Sequence, residues 1–104
     1  MTIQLNADKN LTIHEAFGDK LKGVLSEELD RFSEHITRVE VHLSDENGSK
    51  NSQEDKRCLL EARLKGKQPI AVSELGNTYD QAVDGAVHKL KASLDSIFDR
   101  MKNH

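Results

Sequence analysis

Polar and apolar residues alternate at the start of the chain, with Ile3, Leu5 and Ala7 set against Thr2, Gln4 and Asn6. A period of two is the mark of a half-buried strand. Thr12-Ile13-His14-Glu15 then fits a capping box, in which the threonine hydroxyl accepts from an early helical N–H and the glutamate reaches back to the cap. From Ile13 onward, Phe17, Leu21, Val24, Leu25, Leu29 and Phe32 recur at steps of three and four, which predicts a helix to about Glu34. Gly18 and Gly23 weaken its interior. Glu28 falls on the apolar side of the wheel, and a kink within residues 23–26 is expected to accommodate it.

Alternation resumes with Val39, Val41 and Leu43 on one face and Arg38, Glu40 and His42 on the other. After a polar stretch, Cys58, Leu60, Ala62 and Leu64 form a second inward row, opposite Arg57, Leu59, Glu61, Arg63 and Lys65. Gly66-Lys67-Gln68-Pro69 reads as a turn, because proline cannot donate to a ladder and belongs at a strand's start or edge. Residues 70–75 predict a fourth strand, ended by Gly76 and Asn77. The last helix is the plainest element. Tyr79, Ala82, Val83, Ala86, Val87, Leu90, Leu94, Ile97, Phe98 and Met101 make one continuous stripe. The pattern predicts an α+β fold of order β-α-β-β-β-α, a four-stranded, mostly antiparallel sheet with two helices packed on one face. Residues 1–104 are expected to form a single domain.

Residues 44–55 join the second and third strands, are polar and aperiodic, and are expected to be a flexible, metal-free connection. Asp45-Glu46-Asn47-Gly48 resembles the start of a calcium loop. However, Gly48 stands fourth from Asp45 where the sixth position is needed, and the twelfth position is Lys56 instead of glutamate. His42 and Cys58 lie on adjacent strands with opposite parity, and neither has a second ligand at zinc spacing. Cys58 sits in the inward row, where a free cysteine behaves as a small hydrophobe.

The formal charge of −3 excludes a chain that binds nucleic acid by bulk charge alone. A lone cysteine excludes an internal disulfide and fits a reducing compartment. No apolar run approaches membrane-spanning length, and the first residues lack the basic and apolar regions of a signal peptide, so a cytoplasmic chain is expected. No nucleophile elbow, Walker loop or dinucleotide fingerprint is present. The five histidines are scattered, and the paired carboxylates Glu27-Glu28 and Glu54-Asp55 lie in polar segments. The expectation is a protein that is not an enzyme, with no cofactor and no small-molecule substrate.

Candidate binding residues come from the last helix. At about 100° per residue, Thr78, Gly85, Lys89, Ala92, Ser93, Ser96, Arg100 and Asn103 share one shoulder of the apolar stripe, with two cations and no acid. Small neighbours beside exposed cations allow a phosphate backbone to come close. The other shoulder mixes Lys91 and Lys102 with Asp80, Asp84 and Asp95, and Lys91 has Asp95 at i+4 as an expected partner. The outward Arg57, Arg63 and Lys65 add a second cationic row on the third strand. An ordinary solvated face explains the same charges without any ligand.

The element order, together with "ITRVEVHLSDEN" after the first helix and "QAVDGAVHKLKASL" in the last, resembles the ribosome hibernation promoting factor / ribosome-associated inhibitor family of bacteria. The resemblance spans nearly the whole chain and is most specific at Ala82-Val83-Asp84, Lys89-Leu90 and Leu94. "DKRCLLEARLKGKQPIAV" is similar to a short branch without the dimerisation extension of the long forms. The resemblance implies binding to rRNA of the small ribosomal subunit, where such proteins occupy tRNA and mRNA positions and silence idle ribosomes in stress or stationary phase. It implies RNA contacts at Lys89 and Arg100, with Lys91 near a family arginine position. Ala92, Ser93 and Ser96 stand where the family commonly has Arg, Gln and Lys, and Glu27, Glu28 and Asp30 interrupt a usually basic first helix. The other class of function is a protein-interaction or regulatory module that keeps the fold and binds a protein partner or itself as a homodimer. The acidic balance favours it, whereas the acid-free shoulder favours RNA.

Overall fold

The structure, a computed structural model, describes residues 1–7, 15–45 and 55–102. Four strands, β1 (Thr2–Ala7), β2 (Ile36–Asp45), β3 (Lys56–Leu64) and β4 (Ile70–Gly76), combine with two helices, α1 (Glu15–Glu28) and α2 (Tyr79–Lys102), in the expected order. The sheet runs β1-β2-β3-β4 in space. β2 pairs antiparallel with β3, and β3 with β4. β1 pairs parallel with β2, with Ile3 beside Val39 and Leu5 beside Val41. A parallel pair needs a crossover, and α1 lies in it.

One face of the sheet is the core. Val39, Val41 and Leu43 of β2 and Cys58, Leu60, Ala62 and Leu64 of β3 are buried together with Leu21, Leu25 and Leu29 of the α1 region and Ala82, Val83, Ala86, Val87, Leu90 and Leu94 of α2. The helices cover this one face, α1 over β1 and α2 over β3 and β4. Ile36 is also buried, although strict alternation from Val39 would turn it outward. A register shift between Ile36 and Arg38 supplies the extra residue, and the Thr37 hydroxyl donates to the Arg63 carbonyl at 3.1 Å there.

The first helix departs from expectation at its end. α1 is unbroken through residues 23–26 and stops at Glu28, and a 3-10 turn, Asp30–Phe32, follows. Leu29 and Phe32 are both buried, so the spacing of apolar residues continues across a change of helix type. Glu28 meets Lys91 at 2.8 Å, so its place near the apolar side reflects a partner on α2 instead of a kink. The capping box at Thr12 and the connection between β2 and β3 over residues 46–54 lie outside the described residues. α2 starts on a cap of its own. The Thr78 hydroxyl accepts from the Gln81 N–H at 3.1 Å, and the Gln81 side chain accepts from the Asn77 N–H at 3.0 Å.

Candidate nucleic-acid interface

α2 lies between α1 on one side and the β4 edge on the other, and its two shoulders therefore meet different surroundings. On the α1 side three ion pairs span the helical layer. Lys20 faces Asp80 at 3.4 Å, Glu28 faces Lys91 at 2.8 Å and Arg31 faces Asp95 at 2.8 Å. The pairs ascend both segments in the same order, so the helices run side by side in one direction. Arg31 also lies over the Phe32 ring at 4.4 Å from its centroid. The Phe98 ring stacks on His35 with centroids 4.2 Å apart.

Lys91 therefore belongs to the seam between the helices. Its partner is Glu28, and the Asp95 expected at i+4 is taken by Arg31. The Lys91 ammonium donates to the Glu28 carboxylate and holds that carboxyl below the usual range.

The Lys89 shoulder overlooks β4. Lys89 Nζ donates to the Ser73 carbonyl at 3.0 Å and stands 3.4 Å from Glu74 Oε2. The shoulder carries no acid on the helix itself, but the neighbouring strand supplies one. Glu74 lies across Gly85, where an added Cβ would stand 2.5 Å from Glu74 Cγ. A carboxylate side chain thus passes over Gly85, which removes it from the open approach that the helical wheel implied. Glu74 is held below the ordinary glutamate value, first by the Leu75 N–H and then by Lys89. Arg100 continues the Lys89 row eleven residues on and Lys102 the Lys91 row. Both lie in the last turn of α2, and their side chains are outside the described part.

Arg57 and Arg63 point away from the helices, on the open face of the sheet. The structure does not gather them with Lys89. Arg63 Nε is 3.3 Å from Glu40 and 3.3 Å from Glu61. Arg38 and His42 each approach Glu40 at 3.7 Å, and Arg38 also donates to the Gln4 side chain. Glu40 is the hub of this group, with a side chain only 14% exposed. Arg57 lies opposite Leu75 and Ser44 in the register. Lys65 follows the end of β3, exposed, and its N–H donates to the His35 carbonyl at 3.0 Å.

At the far end of β2 and β3, the Lys56 ammonium stands 3.0 Å from Asp45 and 3.2 Å from Asp55. Both carboxylates raise the Lys56 pKa. The residue in the twelfth position from Asp45 is thus a cation that itself engages the aspartates. Among the described residues no group of three or more His, Cys, Asp or Glu side chains is placed to hold a metal ion. Among them, too, no helix is long and apolar enough to cross a membrane. Sequence reasoning missed Lys20 and Arg31 as members of the helix seam, because their partners lie at least sixty positions away in the chain.

Residues 7–102 match the family described as sigma 54 modulation protein / S30EA ribosomal protein. Among solved structures, the chain is similar to the N-terminal domain of Protein Y from Thermus thermophilus. That likeness has a TM-score of 0.72 at 24% identity and covers 93% of this chain and 99% of that one. It is also similar to a ribosomal subunit interface protein from Coxiella burnetii, with a TM-score of 0.71 at 18% identity over 95% of this chain and 99% of that one. At these identities the likeness is one of fold. No curated protein matches the chain.

Proposed function

Because the chain belongs to the sigma 54 modulation protein / S30EA ribosomal protein family, we propose that it is a ribosome-associated regulator of translation. It binds rRNA of the small ribosomal subunit and keeps idle ribosomes inactive in stress or stationary phase. The observation that carries this reading is the family match over residues 7–102. The fold shared with proteins described as Protein Y and a ribosomal subunit interface protein supports it. Such binding needs no covalent step. Lysine and arginine meet phosphates, and the shape of folded rRNA sets the register. Lys89, with Arg100 on the same row, is the proposed principal contact on α2.

Lys89 reaches RNA by exchanging partners. Its bonds to Ser73 and Glu74 are solvent-exposed, with 51% of the Lys89 side chain accessible, and exposed ion pairs of this kind are weak. A phosphate that approaches the β4 edge competes for the ammonium on nearly equal terms. Lys91 is less available, with a 2.8 Å partner and 33% of its side chain accessible.

A second reading is favoured by the same ion pairs. Lys20, Arg31, Arg63, Lys89 and Lys91 each face a carboxylate. A surface so neutralised also suits a module that binds a protein partner. Co-sedimentation with purified small subunits across a salt series separates the two. The ribosome reading expects binding that needs neither nucleotide nor added cofactor and weakens steeply as salt rises. Binding that is flat with salt, or absent at low salt, transfers the function to a protein partner.

A further inference from the structure

The turn between β3 and β4 combines charge, exposure and a backbone shaped by a glycine. Residues 62–73 contain Arg63, Lys65 and Lys67 and no carboxylate. Residues 65–69 are all exposed. Gly66 has a φ of +69°, the left-handed conformation that favours glycine. The Lys65 N–H to His35 bond ties the turn to the start of β2. A Cβ added at Gly66 would meet nothing within 4 Å, so the tip is open to close approach.

Arg63 is paired with Glu40 and Glu61, but the two lysines of the turn are not paired among the described residues. Lys20, Arg31, Arg38, Lys56, Arg63, Lys89 and Lys91 all face a carboxylate within 4.0 Å. Lys65 and Lys67 form no ion pair with any of the described residues. Two ammonium groups with no ion pair among the described residues, two positions apart on an open tip, give a local field that the net charge of −3 conceals.

We infer that Lys65 and Lys67, presented by Gly66, form a phosphate-backbone contact for RNA that is separate from the Lys89 row. The inference rests on the ribosome reading for its ligand, and it adds a contact surface at a different place in the fold. A phosphate bound here displaces only water and counterions, so each lysine contributes fully to the salt dependence. At Lys89, by contrast, a carboxylate must first be displaced.

The test uses the full chain and the Lys65→Gln/Lys67→Gln variant, each measured against purified small ribosomal subunits and against a 20-base-pair RNA duplex over a salt series. Exposed turn lysines contribute little to folding, so matched melting curves are expected. The expected result is roughly tenfold weaker binding to both RNAs at low salt, with the salt slope reduced by about 1.5. Gly66→Ala, which strains the turn without changing charge, is expected to weaken binding with an unchanged slope. Equal affinity and slope for parent and double variant on both RNAs would overturn the turn contact and leave the ribosome reading standing. Failure of the parent on subunits, with the variant impaired on the duplex, overturns the ribosome reading and keeps the turn contact. A parent that binds neither RNA overturns both.

Discussion

Replacing Gly85 by alanine tests how the Lys89 shoulder is held. The new methyl would stand 2.5 Å from Glu74 Cγ, 3.2 Å from Oε2 and 3.3 Å from Cβ, so the glutamate must move. It can do so by rotating its side chain, which is 37% exposed, at the expense of the exposed bond its carboxylate accepts from the Leu75 N–H. Alanine in a helix interior is favoured over glycine by about 1 kcal/mol. The residual crowding at Cβ takes part of that gain, and a net stabilisation of about 0.5 kcal/mol remains, or a melting temperature higher by about 2–4 °C. Moving Glu74 also breaks its approach to Lys89, which leaves the ammonium for phosphate. Binding to small subunits at low salt is then expected to tighten by roughly twofold. Thermal melting by circular dichroism and co-sedimentation read the two effects, and Glu74→Gln serves as the comparison that frees Lys89 without the methyl. A melting temperature that falls by several degrees refutes the claim that Glu74 can step aside. Weaker subunit binding in both variants refutes the claim that the carboxylate competes with RNA.

Three further outcomes follow from the geometry. Gly76→Ala would bring a Cβ to 2.8 Å from the Ala82 nitrogen and 3.1 Å from the Thr78 carbonyl oxygen, backbone atoms at the start of α2. It should cost about 1–3 kcal/mol in urea unfolding, whereas an unchanged midpoint would show that the junction is slack. Burial pushes the Cys58 thiol up to about 12, so reaction with a disulfide reagent at pH 8 should be far slower in the native state than in denaturant, and rapid native labelling would place the thiol at the surface. The Lys89→Glu/Arg100→Glu variant should lose more subunit binding than Lys91→Glu/Lys102→Glu, with the latter also losing the Glu28 pair and some stability. Equal loss of binding would mean that only net charge matters.

The strand rows were legible in the sequence because alternation reports burial directly. Val39, Val41, Leu43, Cys58, Leu60 and Ala62 are all buried as the pattern required. Ile36 was not, because a register shift changes parity without leaving a residue type that marks it. The end of α1 was hidden for a related reason. Leu29 and Phe32 keep a spacing that both an α-helix and a following 3-10 turn satisfy. The cap of α2 is written in the sequence as Thr78 and Gln81, three apart.

The candidate site was legible only as rows of charge on isolated elements. A helical wheel shows that Lys89 has no acid on its own shoulder, but it cannot show that β4 brings Glu74 beside it. The same limit gave Lys91 the wrong partner, since the nearest carboxylate in sequence lost to one on α1. Local spacing orders side chains within an element. Ion pairs between elements depend on packing, which the hydrophobic pattern settles only as to face.

Ribosome association itself is tested most directly by sucrose-gradient sedimentation of extracts from growing and starved cells, probed for this protein. In starved cells the protein is expected to travel with fractions that contain the small ribosomal subunit and to be stripped from them by high salt. A protein that stays at the top of the gradient in both states, at low salt, contradicts ribosome association.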